Sequence, residues 1–154
     1  MARKDITLLT DGNEKMQYTG KANGCHCWTF SLPAQKTCPF RGECSKFCYA
    51  SAGNYTCPGP MACYKRNFEA SKRADFAEVM TDQIKHAINL DSKRGLPTVI
   101  RLHDTGDLYS LAYLLKWVKI AQNLPGVLFY GYTKSHPFLA GIDLPHNLYF
   151  IPSE

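Results

Sequence analysis

The feature that most constrains this chain is the crowding of its cysteines. All seven lie between Cys25 and Cys63, and the 91 residues that follow Cys63 contain none. An odd number of thiols cannot all pair within one chain, and cysteines that serve as small apolar core residues would be scattered along the sequence. The clustering therefore indicates metal binding.

The centre of the cysteine segment is a triplet, Cys38, Cys44 and Cys48, with five and three residues between successive members. Structural zinc sites commonly use two tight cysteine pairs, whereas three thiolates from one loop can hold three corners of a cubane iron–sulfur cluster. The spacing favours a 4Fe-4S cluster over zinc, with free or redox-paired thiols as the remaining alternative. The fourth iron can take another cysteine, a histidine, a water or a substrate. Protein ligands for it could come from Cys57 and Cys63 downstream or from Cys25, His26 and Cys27 upstream, and Cys57 is our candidate.

The composition is that of a folded domain, since 45% of the 154 residues are hydrophobic and 20% are charged. These values argue against a disordered, collagen-like or coiled-coil chain. No apolar run approaches the roughly 18 residues of a membrane span, and the first residues lack the apolar segment of a secretion signal. The sequence thus predicts a cytoplasmic protein with no membrane partner. The formal charge of +5 resides in the cysteine-rich half, which leaves nucleic acid open as a partner beside a small molecule or a protein.

We expect a single domain over residues 1–154, with a cysteine-rich, metal-binding lobe at 1–60 and a series of βα units at 61–154. The lobe is predicted to be loop-rich, because glycines and prolines punctuate it and only residues 6–9 and 28–32 have strand-like patterns. Such a segment has no evident core of its own and would be organised by its metal.

The second part alternates strand and helix patterns. A helix begins near Asp75 and ends at Gly95. Strands are then predicted at residues 98–103, 127–133 and 147–151, with a helix at 110–123 between the first two and a short helix at 138–142 before the third. Strands separated by such helices form βαβ units in a mainly parallel sheet. The predicted fold is α/β, a small open sheet like a partial barrel, because so few strands cannot close a barrel of eight.

Ionisable residues crowd the end of the first of these strands: Arg101, His103, Asp104 and Asp107. Strand alternation predicts that Arg101 and His103 share one face, at the carboxyl end of a strand where α/β proteins place ligands. The four residues are therefore candidate catalytic residues. In the alternative, structural interpretation the aspartates accept turn hydrogen bonds and Gly106 takes a positive φ.

The next strand ends in a similar way. Tyr130, Tyr132 and Lys134 share one face there, and Lys134 adjoins the loop of His103 as a further candidate catalytic residue. A half-exposed sheet face with solvated tips is the alternative interpretation.

Taken together, these motifs resemble the phage gene product 88 family. The resemblance rests on the cysteine triplet with Cys48-Tyr-Ala, on Arg-Leu-His-Asp-Thr-Gly-Asp at residues 101–107 and on Tyr-Thr-Lys-Ser at residues 132–135. It covers roughly residues 28–152.

Members of this family look similar to radical S-adenosylmethionine proteins. That likeness implies that Cys38, Cys44 and Cys48 bind an iron–sulfur cluster. It also implies that the loop containing Asp104, Gly106 and Asp107 contacts the methionyl part of S-adenosylmethionine. The cysteine spacing of five and three and the small number of strands depart from the radical enzymes.

Two functions follow from these features. The first is a phage iron–sulfur protein of the host-cell cytoplasm, a reduced radical-type enzyme with an open iron beside His103, Asp104 and Asp107. The second is a non-enzymatic module in which a cluster, or zinc, is structural or redox-sensing and the protein binds a host protein or nucleic acid. A three-cysteine cluster favours the first function, and an all-cysteine cluster favours the second.

Overall fold

A computed structural model describes residues 7–48 and 53–153, without the side chains of Cys44, Ser45 and Asn54. Three residues of the sequence patterns above lie outside this part of the chain: Ile6, Tyr49 and Ala50. The strands are β1 (Thr10–Asp11), β2 (His26–Phe30), β3 (Thr98–Leu102), β4 (Leu128–Thr133) and β5 (Leu148–Pro152). The α-helices are α1 (Glu14–Ala22), α2 (Pro58–Ser71), α3 (Phe76–Ser92), α4 (Leu111–Asn123) and α5 (His136–Leu139). Two short 3-10 helices, Gly42–Lys46 and Gly53–Thr56, lie in the cysteine-rich segment.

The strands follow one another across the sheet in the order of the chain. β1 pairs antiparallel with β2, and β2 to β5 then pair in parallel, each with the next. The predicted α/β class with an open, mainly parallel sheet is confirmed. Because β2 pairs along its whole length with β3, the sheet joins the cysteine-rich segment to the βα units. The metal lobe itself remains a prediction.

One face of the sheet carries the core, where α3 and α4 pack on alternate strand residues: Trp28, Phe30, Ile100, Leu102, Phe129 and Leu148. Right-handed connections between parallel strands place their helices on one face in this way. Tyr113 and Trp117 of α4 are fully buried in this core. The opposite face becomes more exposed towards β5, where Tyr149 and Ile151 are 55% and 42% exposed.

The strand predicted at residues 6–9 is wrong for the described part, residues 7–9. The backbone N–H groups of Thr7 and Leu8 donate to Oε1 of Gln83, at 2.9 and 2.7 Å. Gln83 is the polar residue that interrupts the apolar stripe of α3, and its side chain takes the place of a neighbouring strand as acceptor. The two-residue β1 begins only at Thr10.

The expectation of a loop-rich segment at 1–60 misses α1. The side chain of Asn13 caps this helix by accepting from the backbone N–H of Met16, at 3.0 Å. Glu14 in the first turn and Lys21 in the last turn also suit the helix dipole. Only Met16 and Gly20 are buried, so α1 lacks the apolar stripe that periodicity detects.

The remaining elements agree with their sequence patterns to within a few residues. The strand predicted at 28–32 is β2, which begins two residues earlier, and the short helix predicted at 138–142 is α5. α3 begins after Asp75, and the chain turns at Gly95 with a φ of 71°. Within the described residues no helix is both long and apolar enough to cross a membrane.

A buried polar network joins the amino ends of β2 and β3 to α3. The carboxylate of the fully buried Asp91 accepts hydrogen bonds from Trp28 Nε1 at 2.9 Å, Thr98 Oγ1 at 2.5 Å and Arg94 Nη2 at 2.8 Å. His26 Nδ1 lies 2.7 Å from the same carboxylate. Burial alone would raise the pKa of Asp91, but the hydrogen bonds from His26, Thr98 and Trp28 together lower it.

Candidate functional site

The loop after β3 is hydrogen-bonded to the segment that leads into the cysteines. Leu32 donates its N–H to the carbonyl of Thr105 at 3.0 Å, and the Thr105 hydroxyl donates to the carbonyl of Leu32 at 2.6 Å. The N–H of Asp107 donates to Oγ1 of Thr37 at 3.4 Å. Because Thr37 immediately precedes Cys38, these bonds place the start of the cysteine triplet beside the strand-end loop.

Gly106 permits this close approach. It has the expected positive φ, 83°, and a Cβ at this position would lie 2.6 Å from Oγ1 of Thr37 and 2.7 Å from Cβ of Leu32. Any larger residue would therefore push the two segments apart.

Asp107 ties the ends of β3 and β4 together. Its Oδ1 accepts from the Leu108 N–H at 2.7 Å and the Thr133 hydroxyl at 2.5 Å, and its Oδ2 accepts from the Lys134 N–H at 2.9 Å. Burial raises the pKa of Asp107 above its ordinary value. Since both oxygens already accept hydrogen bonds, the geometry suits a positioning role better than that of an open proton acceptor.

A cavity of about 280 Å³ lies at these strand ends, and we call it the strand-end cavity. Two members of the cysteine triplet, Cys38 and Cys48, line it. The predicted site residues that line the same cavity are Arg101, His103, Gly106, Asp107 and Lys134. The structure thus brings part of the predicted metal loop together with most of the predicted strand-end site.

His103 lines the cavity and has an unusual backbone conformation. Its φ of 68° ends the alternation of β3, so the expectation that it follows Arg101 on one strand face is wrong. Its ring lies against Tyr113 of α4, with Nε2 2.7 Å from the phenol oxygen. Burial, together with the Arg101 guanidinium, lowers the pKa of His103 to about 3, so the imidazole is neutral at pH 7.

Arg101 lies on the sheet face opposite the core. Its guanidinium is 5.5 Å from the centre of the Tyr132 ring, a distance that permits a cation–π contact. Its Nε is buried and has no hydrogen-bond partner among the described residues.

Asp104 lines a different cavity, of about 370 Å³, together with Cys63 and Tyr64. Its backbone N–H donates to Oγ of Ser31 at 3.2 Å. Burial raises the pKa of Asp104, although the nearby Arg101 partly opposes the rise. Asp104 therefore lines a different cavity from Cys38, although it lies near Arg101, which lines the strand-end cavity.

No described cysteine outside the triplet is among the residues that line the strand-end cavity. Cys57 is exposed at the N-cap of α2, and Cys25 lines a separate surface pocket beside His26. Cys27 is buried in β2, where burial raises the pKa of its thiol and so disfavours the thiolate that a metal requires.

No group of three metal-binding side chains is present in the part of the chain whose side chains the structure describes. Cys44 lies in the 3-10 helix Gly42–Lys46, but its side chain is outside that part. The cluster ligands Cys38, Cys44, Cys48 and Cys57 therefore remain a prediction.

Sequence reasoning missed three residues that shape this site. Arg41 lines the strand-end cavity, Thr37 joins the loop of Gly106 to the cysteine segment, and Tyr113 bonds the ring of His103. One signal was available for Tyr113, because a buried tyrosine needs a partner for its hydroxyl. The contacts of Thr37 and Arg41 join segments far apart in sequence and have no local signal.

Comparisons with known proteins agree with the family resemblance. The sequence profile described as gene product 88 matches residues 7–154. The gene 88 protein of Mycobacterium phage L5 is 26% identical over 94 residues, which are 59% of this chain and 39% of that protein. The gene 88 protein of Mycobacterium phage D29 is 26% identical over 98 residues, with the same two shares. The matched region thus spans less than half the length of these relatives, and no solved structure matches the chain.

Proposed function

Since this chain belongs to the gene product 88 family, which includes the two phage proteins above, we propose that it binds a 4Fe-4S cluster at the strand-end cavity. One observation carries the proposal, namely that Cys38 and Cys48 line the same cavity as Arg101, His103 and Lys134. Both cysteines are half-buried. Thiolates that converge from one loop are the usual ligands of such a cluster.

The chemistry of the cavity suits thiolate ligands. Arg101 and Lys134 bring two positive charges to the cavity that Cys38 and Cys48 line. Their charge would offset part of the negative charge that thiolate ligands bring to the cavity. Cys44, from the same loop, would supply the third thiolate, and Cys57 or an exchangeable ligand would complete the fourth iron.

When bound, such a cluster supplies electron transfer and, where one iron lacks a protein thiolate, an open coordination position. The residues of the chain would do the rest. Arg101 and Lys134 attract negative charge, the neutral His103 offers a hydrogen bond, and Asp107 holds the strand ends in place. A purely structural cluster needs no cavity lined by ionisable side chains, so this lining favours a reduced radical-type enzyme with S-adenosylmethionine as its small cofactor.

Anaerobic purification followed by iron, acid-labile sulfide and zinc analysis tests the proposal. We expect brown protein with about four irons per chain. Replacement of Cys38 or Cys48 by serine should remove the colour and most of the iron. Cys25→Ser is the matched control, because this half-buried cysteine lines a different pocket, and it should keep the iron.

The Cys57→Ser variant separates the two functions predicted from the sequence. Retention of the cluster in this variant would support an exchangeable fourth position and the enzyme. Loss of the cluster would support an all-cysteine site and the redox-sensing or structural module. Stoichiometric zinc without acid-labile sulfide in the unmodified protein would contradict the proposal.

A further inference from the structure

Two buried nitrogen atoms of the residues that line the strand-end cavity have no hydrogen-bond partner among the described residues. They are Nε of Arg101 and Nδ1 of His103. His103 is only 4% exposed, so water reaches its ring poorly. Native proteins rarely leave buried polar groups unpaired, because folding removes their water and must replace its hydrogen bonds. Both residues line the cavity, so an acceptor group bound there could pair these atoms after small side-chain rotations.

The hydrogen bond on the other side of the ring makes Nδ1 of His103 a donor. The hydroxyl of Tyr113 is buried, and Nε2 of His103 is the acceptor that the described residues offer to it. If the phenol donates to Nε2, the single proton of the neutral imidazole resides on Nδ1. The opposite tautomer would leave a buried hydroxyl without an acceptor.

The charges around the cavity are also unbalanced. Neither Arg101 nor Lys134 forms an ion pair with any described residue. Asp107 is the carboxylate among the described lining residues, and backbone and hydroxyl groups occupy both of its oxygens. The described lining therefore offers more cations and donors than acceptors, although the carboxylate of Asp104 in the neighbouring cavity also lies near Arg101.

We propose that the strand-end cavity binds the oxyanion group of a small ligand, a carboxylate or a phosphate, through Arg101, Lys134 and His103. An arginine Nε with its neighbouring amino group can hold two oxygens of such a group at once. The volume of about 280 Å³, which the proposed cluster would share, limits the bound part to a small group.

This inference deepens the proposed function and rests on it only in sharing the cavity, because its donors come from β3 and β4 and their loops. Calorimetric titration of the anaerobically purified full chain with inorganic phosphate and with succinate tests it. We expect one of the two anions to bind, and Arg101→Gln and Lys134→Gln each to raise its Kd at least tenfold. Phosphate binding would identify a phosphate ester as the ligand class, and succinate binding would identify a carboxylate.

Lys85→Gln is the matched control, since it removes one positive charge from an exposed position on α3. It should leave the Kd within twofold of the unmodified protein. Two results would overturn the proposal. One is an equal effect of Lys85→Gln and Lys134→Gln on the Kd. The other is the absence of binding by either anion with a Kd below about 10 mM, since a weaker Kd lies outside the range of most small specific ligands. If Arg101→Gln fails to fold, the Kd of Lys134→Gln alone tests the proposal.

Iron analysis of the same samples separates this inference from the cluster. Cys38→Ser should lose iron and still bind the anion. Anion binding by protein that never contains iron would refute the cluster and leave the anion site supported. Protein that contains iron but binds neither anion would refute the anion site and leave the cluster supported.

Discussion

Asp107→Asn tests how the strand ends are held together. The carboxylate accepts three hydrogen bonds, two at Oδ1 and one, from the Lys134 N–H, at Oδ2. An asparagine has one oxygen, so its amide nitrogen must face at least one of these donors. The least costly orientation keeps the bonds of Leu108 and Thr133 and leaves the N–H of Lys134 unpaired.

A buried donor without a partner costs about 1–3 kcal/mol. We therefore expect Asp107→Asn to lower the free energy of unfolding by about 2 kcal/mol. Urea unfolding followed by fluorescence of the buried Trp28 and Trp117 measures this quantity. With a slope of about 2 kcal/mol per molar urea, the midpoint should fall by about 1 M.

The pH dependence gives a second readout. Burial raises the pKa of Asp107 in the folded protein, so the folded chain binds this proton more tightly than the unfolded chain does. The contribution of this carboxyl group is then fully present below its unfolded pKa of about 3.9 and is lost as the pH rises through the folded value. The destabilisation by Asp107→Asn should accordingly be larger at pH 4.5 than at pH 7.

The exposed Asp143 provides the control, because Asp143→Asn should change stability by less than about 0.5 kcal/mol. If Asp107→Asn were as mild as this control, the carboxylate would not join the strand ends and the argument would be refuted.

Three further outcomes are expected from the same unfolding assay. Gly106→Ala should lower the free energy of unfolding by about 3 kcal/mol, because the residue has a positive φ and a Cβ would meet Thr37 and Leu32. A Cβ on Gly126 meets no neighbour, so Gly126→Ala should change the stability little. Equal effects of the two substitutions would contradict the loop packing. Asp91→Asn should also lower the free energy of unfolding by about 3 kcal/mol, because an amide cannot accept from all the donors around this buried carboxylate. A loss below about 1 kcal/mol would show that the network is not intact. His103 is protonated near pH 6.5 in the unfolded chain, whereas its ring stays neutral down to about pH 3 in the folded protein. The free energy of unfolding of the unmodified protein, relative to that of His103→Asn, should therefore fall by about 2 kcal/mol from pH 7 to pH 5. A difference that does not depend on pH would show that the ring is solvated.

Much of the sheet could be predicted because its signals are local. The strands at residues 98–102 and 128–133 are short apolar runs, and the helix between them presents one apolar stripe to the core. The strand-end site could also be anticipated, because the carboxyl ends of parallel strands meet at one edge of a sheet. Arg101, Asp107 and Lys134 lie at that edge, as their positions in the pattern indicate.

The unpredicted features depend on contacts between distant segments. No periodicity in residues 6–9 shows that Gln83 of α3 will accept hydrogen bonds from the backbone N–H groups of Thr7 and Leu8. The positive φ of His103 is imposed where the strand ends against α4, so strand alternation could not anticipate it. The proximity of Cys38 to the strand ends depends on the packing of Thr37 against Gly106, which lies 69 residues further along the chain.

The strand order has a consequence for how such a protein can change during evolution. Because β2 to β5 lie side by side in chain order, a further βα unit could join the free edge of β5 without breaking any existing pair. Each such addition would bring one more loop to the rim that holds Arg101 and Lys134, and so one more set of side chains towards a bound ligand. Lineages built on this plan can therefore differ in length and in ligand while the cysteine loop and the first strand ends stay as they are.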